Sequence, residues 1–102
     1  MALYHLRFHP HFVNELENAI AYYNAKSKTA GLRFRVATKK QLNLIKKNPG
    51  YRSVRYDDIR FARIEKFPYA IHYSIDAANK CVLVHSLSCD YQNPDVHWKK
   101  RL

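Results

Sequence analysis

The sequence predicts an α+β fold: an N-terminal strand, an antiparallel helical hairpin, then a three- to four-stranded antiparallel sheet. Three observations carry that prediction. Phe12, Leu16, Ala19, Ile20 and Tyr23 recur at three- and four-residue steps, which draws one apolar stripe along a helix. Asn48-Pro49-Gly50 ends the helical texture, because proline cannot continue the hydrogen-bond ladder and glycine tolerates the exit geometry. Beyond it, Tyr69, Ile71, Tyr73 and Ile75 alternate with Ala70, His72, Ser74 and Asp76, the period of a strand with unlike faces.

The elements follow in order. Residues Ala2–Phe8 alternate loosely, with Leu3, Leu6 and Phe8 as candidate core positions of a first strand. Pro10 suits the first turn of the helix after it, where its missing N–H has no acceptor to lose. The polar run Asn24–Lys28 is the expected turn. A second helix from Thr29 or Ala30 to Lys47 has a broad apolar side, Leu32, Phe34, Val36, Ala37, Gln41, Leu42, Leu44 and Ile45. Its wet side holds Arg33, Arg35, Lys39, Lys40, Lys46 and Lys47. Two strands, Tyr51–Arg55 and Ile59–Glu65, flank the turn Tyr56-Asp57-Asp58. The alternating strand follows Phe67-Pro68. After the turn Ala77–Lys80 comes Cys81–Leu87, in which Val82 and Val84 are expected to oppose Leu83, His85 and Leu87. The tail closes with Asn93-Pro94 and Trp98 as an anchor.

At 102 residues the chain is expected to form one domain, 1–102, with a thin core. Lysine and arginine outnumber aspartate and glutamate by 18 to 8, an imbalance that draws polyanions or acidic protein surfaces. With only Gly31 and Gly50, a glycine-rich phosphate loop is excluded. The pair Cys81 and Cys89 suits a reduced, cytoplasmic setting better than a disulfide framework. No stretch approaches the ~20 apolar residues of a membrane span, so no membrane association is expected. Nor is a cofactor: His9, His11, His72, His85, Cys81 and Cys89 lack zinc-site spacing, and Asp57-Asp58 sits in a turn where carboxylates bond their own backbone.

The basic residues are more informative. Arg52 and Arg55 precede the third strand, Arg60 and Arg63 lie in it, and Lys66 follows it. If Ile59 and Phe61 point to the core, Arg60 lies on the open face with His72, Ser74 and a rim of Tyr91 or Gln92. Such a face suits a phosphodiester: a guanidinium forks onto phosphate, and an imidazole (His72, or less directly His85) moves protons near neutral pH.

Several segments in this order carry a resemblance: Phe8-His9-Pro10, Asn14-Glu15-Leu16, Tyr22-Tyr23, Asn48-Pro49, Ile59-Arg60, Phe67-Pro68-Tyr69-Ala70-Ile71-His72-Tyr73, and Asn93-Pro94 with Trp98. Together they resemble the RelE/ParE superfamily, toxins of bacterial type II toxin–antitoxin systems, over nearly the whole chain. The resemblance implies a cognate acidic antitoxin as partner, and a target that differs by branch. ParE-like members dock on DNA gyrase. RelE-like members enter the ribosome and cut mRNA without metal. The ParE-like reading is preferred here. In the RelE-like alternative, Arg60, His72 and Tyr91 are the catalytic candidates; Arg52, Arg55, Arg63, Lys66 and Gln92 are the expected binding residues. Counted back from Pro94, Cys89 and Gln92 stand where many members have histidine and arginine, which removes a cation from the place a scissile phosphate needs one. A third reading is a non-toxic basic module for nucleic acid or protein.

Overall fold

The computed structural model describes residues 3–89, which form two helices against one face of a five-stranded sheet. The order along the chain is β1 (His5–Phe8), α1 (Pro10–Lys26), α2 (Lys28–Lys47), a 3₁₀ turn (Pro49–Tyr51), β2 (Val54–Tyr56), β3 (Ile59–Arg63), β4 (Tyr69–Asp76) and β5 (Cys81–Cys89). Across the sheet the order is β1-β5-β4-β3-β2. The four strands β2 to β5 form the expected antiparallel meander, and β1 adds itself in parallel to β5.

Helix α1 starts where expected. His9 is its N-cap in extended conformation, and its Nδ1 accepts the His11 N–H at 3.0 Å. The expected turn at Asn24–Lys28 contracts to one residue. Ser27, with extended backbone, donates its N–H to Tyr23 O at 3.0 Å and closes α1, while its hydroxyl accepts the Ala30 N–H at 3.0 Å and opens α2. One serine thus satisfies orphan groups of two helix ends, so the polar run needs no longer loop. Gly31 permits the tight corner: a Cβ there would fall 1.7 Å from Asn24 Oδ1.

The core joins Phe12 and Ala19 of α1, Phe34 and Ile45 of α2, and Ala62, Ile64, Ile71, Tyr73, Val82, Val84 and Leu87 of the sheet region. Tyr23, Phe34, Phe67 and Tyr69 form a four-ring cluster, with centroids 5.0 Å apart for Phe34 and Tyr69 and 5.2 Å for Tyr23 and Phe67. This cluster ties the corner of the helical hairpin to the β3–β4 turn. At the other end the Tyr73 hydroxyl donates to Pro49 O at 2.6 Å, and Gln41 Nε2 donates to the Tyr51 hydroxyl at 2.7 Å, so the 3₁₀ turn is held from both layers.

Two expectations about facing are corrected. Leu3 and Phe8 are exposed, and of the first strand's candidates Leu6 packs on the core. In β5, Leu87 shares the core face with Val82 and Val84. The cause is a bulge: His72 pairs with Ser86 but Tyr73 with Val84, leaving His85 as an extra residue that resets the alternation.

Tyr73 gives the fold a pH signature. Burial above all, then the nearby Tyr51, pushes its phenol up to about 12. A folded-state value above the unfolded one means that this contribution is complete below about pH 10 and is lost as pH rises toward 12. Denaturant midpoints measured from neutral to strongly alkaline pH should fall across that window, and Tyr73→Phe should flatten the fall while costing about 1–2 kcal/mol at neutral pH.

Candidate functional site

The register of β3 on β4 distributes the candidate residues. Arg60 pairs with Tyr73 and Ala62 with Ile71, so Arg60 belongs to the helix-covered face, at its rim. This corrects the expectation that Arg60 shares the open face with His72. Phe61, the residue expected to point into the core, pairs with His72 on the outer face. The Arg60 guanidinium is turned to the backbone carbonyl of Arg52, and the Arg52 guanidinium lies 4.6 Å from the Tyr51 ring centre. Arg52 and Arg60 thus make a cationic corner beside the 3₁₀ turn.

His72 occupies the middle of the outer face and is fully buried. Its ring stacks on Phe61 with centroids 4.0 Å apart, and its Nε2 shares a hydrogen bond of 2.7 Å with the Ser88 hydroxyl. The Arg55 guanidinium lies 5.0 Å from the Phe61 centroid, so guanidinium, phenyl ring and imidazole are layered outward to inward. Arg63 is exposed on the same face. Lys66, with φ of 69°, occupies a left-handed position in the β3–β4 turn. Tyr91 and Gln92 lie outside the described residues. The expected cationic face is therefore divided: Arg52 and Arg60 at one corner, Arg55 and Arg63 on the outer face, and Lys66 by the turn toward α2.

Sequence reasoning missed a surface on α2. Leu32 is 61% exposed and Val36 59%, and Leu44 further along the same helix is exposed too. The buried positions of α2 are instead Gly31, Phe34, Thr38, Gln41 and Ile45. Leu32, Val36, Ala37 and Phe67 line a groove of about 580 Å³, bordered by Arg33, Lys40 and Lys66. Lys40 meets Glu65 at 3.5 Å, an exposed pair of small energetic weight. The signal was present: seven apolar residues, with Gln41 among them, exceed what one buried stripe of a helix can absorb.

This small mixed sheet backed by a helical hairpin matches solved structures of toxin–antitoxin proteins. A chain of the "Chromosomal ParDE TA system from P. aeruginosa" aligns over 84% of this chain and 95% of its own length, with a TM-score of 0.72 at 11% identity. The isolated E. coli RelE toxin aligns over 97% of this chain and 99% of its own, with a TM-score of 0.65 at 18% identity. At these identities the likeness defines the fold class. The family comes from the sequence: the profile described as "ParE toxin of type II toxin-antitoxin system, parDE" matches residues 6–88, and the chain belongs to that family. No curated protein sequence matches the chain.

The layered outer face yields a direct test. Ser88→Ala removes the hydroxyl bonded to a fully buried imidazole nitrogen and should cost about 1–3 kcal/mol in urea unfolding. A change within error would show that the hydroxyl does not hold the ring.

Proposed function

We propose that this chain is the toxin of a type II toxin–antitoxin pair and acts by docking on its target, DNA gyrase, without bond chemistry of its own. One observation carries the choice of docking over RNA cleavage. The cation expected to stabilise a phosphorane, Arg60, is turned to a backbone carbonyl on one face, while the imidazole expected to shuttle protons, His72, is buried on the other. General acid–base catalysis needs both groups within reach of one phosphate. Membership in the ParE toxin family, whose branch the resemblance drawn from the sequence links to gyrase, supports that target.

The α2 groove supports the second half of the reading, an acidic antitoxin. An amphipathic acidic segment would lay apolar side chains against Leu32, Val36 and Phe67 and set carboxylates beside Arg33, Lys40 and Lys66. Purified protein is expected to stop gyrase-driven supercoiling and to leave mRNA intact in a translation reaction. Ribosome-dependent cleavage with gyrase unaffected would replace this reading with the RelE-like one, and neither effect would favour a non-toxic basic module. Leu32→Glu combined with Val36→Glu should weaken capture of the protein encoded by the adjoining reading frame at least about tenfold, since buried apolar anchors dominate such grooves. Unchanged capture would remove the groove from the antitoxin interface.

A further inference from the structure

A second feature of the sheet lies apart from both the α2 groove and the Arg52–Arg60 corner. Where β1 leaves the sheet and α1 begins, His9 donates its N–H to Val84 O at 2.9 Å, the last bond of the β1–β5 edge. The next residue of β5 is the bulged His85. The bulge sets His85 into a cavity of about 340 Å³ that is also lined by His9, His11, Tyr56, Ile59 and Ser86. Three of the chain's six histidines thus meet at one opening, brought there from a helix cap, a helix first turn and a strand irregularity.

The arrangement favours an anion. His9 Nδ1 accepts the His11 N–H, which leaves Nε2 as the donor nitrogen of the neutral ring. The first turn of α1 carries no acidic side chain, so the positive end of this 17-residue helix is left without a carboxylate in that turn. His85 Nε2 shares a 2.7 Å hydrogen bond with the Ser74 hydroxyl. Burial first, then the charge of His9, holds the His85 imidazole below its ordinary value, and an anion seated in the cavity would favour the charged form of that ring.

The other groups around His85 set the balance. From β4 comes Ser74, and from β2 comes Tyr56. From α1 comes Glu15, whose carboxylate is 3.6 Å from His11 Nε2 and accepts the Leu87 N–H at 3.0 Å. That carboxylate is thereby engaged by the β5 edge beyond the point where β1 departs. Among the described residues no group of three His, Cys, Asp or Glu side chains is placed to hold a metal. Tyr56 and Ile59 add a ring and an apolar wall of the kind that accompany a nucleotide's base and sugar.

We propose that the cavity framed by His9, His11 and His85 is a phosphate-binding site that tightens as pH falls through the range in which imidazoles gain protons. The ligand chemistry is a tetrahedral phosphate oxyanion, carried on a nucleic-acid backbone or free in solution. The proposal stands independently of gyrase docking. The sign follows from linkage: the bound anion favours imidazolium, so affinity is greatest below the free-protein values and declines as pH rises.

The test uses the full chain. A short fluorescent single-stranded oligonucleotide is titrated with protein at about pH 6 and about pH 8 at fixed salt, and inorganic sulfate, whose charge is constant over this range, serves as the free-oxyanion probe. The oligonucleotide should bind about tenfold more tightly at the lower pH, the effect of about half a linked proton averaged over the two pH units. The triple variant His9→Asn, His11→Gln and His85→Gln, in which Asn keeps an N-cap side chain, should flatten that dependence. His5→Gln, at the far end of β1, should retain it. Competition by sulfate identifies a site for isolated oxyanions, and oligonucleotide binding without such competition identifies the backbone as the ligand. Should the triple variant misfold, the imidazole ring-proton resonances of the unaltered protein report instead: ligand-induced shifts confined to three of the histidines support the site. The proposal is overturned by equal affinity at both pH values, by a pH dependence that survives in the folded triple variant, by binding of neither probe, or by absence of those resonance shifts.

Discussion

The pairing of Arg60 with Tyr73 across β3 and β4 is the constraint on which the rest of the molecule turns. Strand side chains alternate between faces, so one register fixes every partner in the meander. With Tyr73 donating to Pro49 O beneath the helices, Ile71 and Ala62 must join the core, and Phe61 and His72 must meet outside it. A shift of one residue would place His72 among Phe12, Phe34 and Ile45, and would expose Tyr73. Neither imidazole nor phenol would then find its present hydrogen bond. The register is therefore held by apolar burial on one face and by polar pairing on the other.

That constraint also explains the division of positive charge. A net charge of +10 on 102 residues sets a field around the whole body, and that field steers an acidic partner from any approach. It does not require a single patch. Arg52 and Arg60 brace the segment between α2 and β2, Arg55 covers Phe61, and Arg33, Lys40 and Lys66 border an apolar groove. Each group serves a local geometry, and the long-range attraction is their sum.

Much of this was legible in the sequence, for reasons that can be named. Tyr69, Ile71, Tyr73 and Ile75 do share the helix-facing side, because strict alternation over eight residues admits one amphipathic solution. Asn48-Pro49-Gly50 ends α2 where proline chemistry requires. The failures are of another kind. Pairing of β1 with β5 joins opposite ends of the described chain, and no local pattern encodes a partner that distant. The bulge at His85 adds one residue to a strand without a glycine or proline to announce it, so plain alternation from Val82 puts Leu87 on the wrong side. Arg60 was misplaced because Ile59 and Phe61 look like core residues, whereas Phe61 spends its apolar surface on a buried imidazole. Asn24, Ala25 and Lys26 remain helical because Ser27 alone makes the corner.

The exposed residues of α2 finally separate what the fold needs from what it does not. Phe34 and Ile45 are fully buried, and their removal would open cavities in a core too small to absorb them. Leu32 and Val36 stand on the same helix, yet more than half of each remains in water. Apolar side chains left in solvent contribute little to folding, and a contiguous set beside Phe67 carries a risk of non-specific association. The cations at its border limit that risk, since copies of the chain repel one another while an oppositely charged surface is drawn in. The strip is thus apolar at its centre and bordered by Arg33, Lys40 and Lys66 with the single carboxylate of Glu65, a border on which the proposed acidic amphipathic partner would be selected by hydrophobicity and charge together.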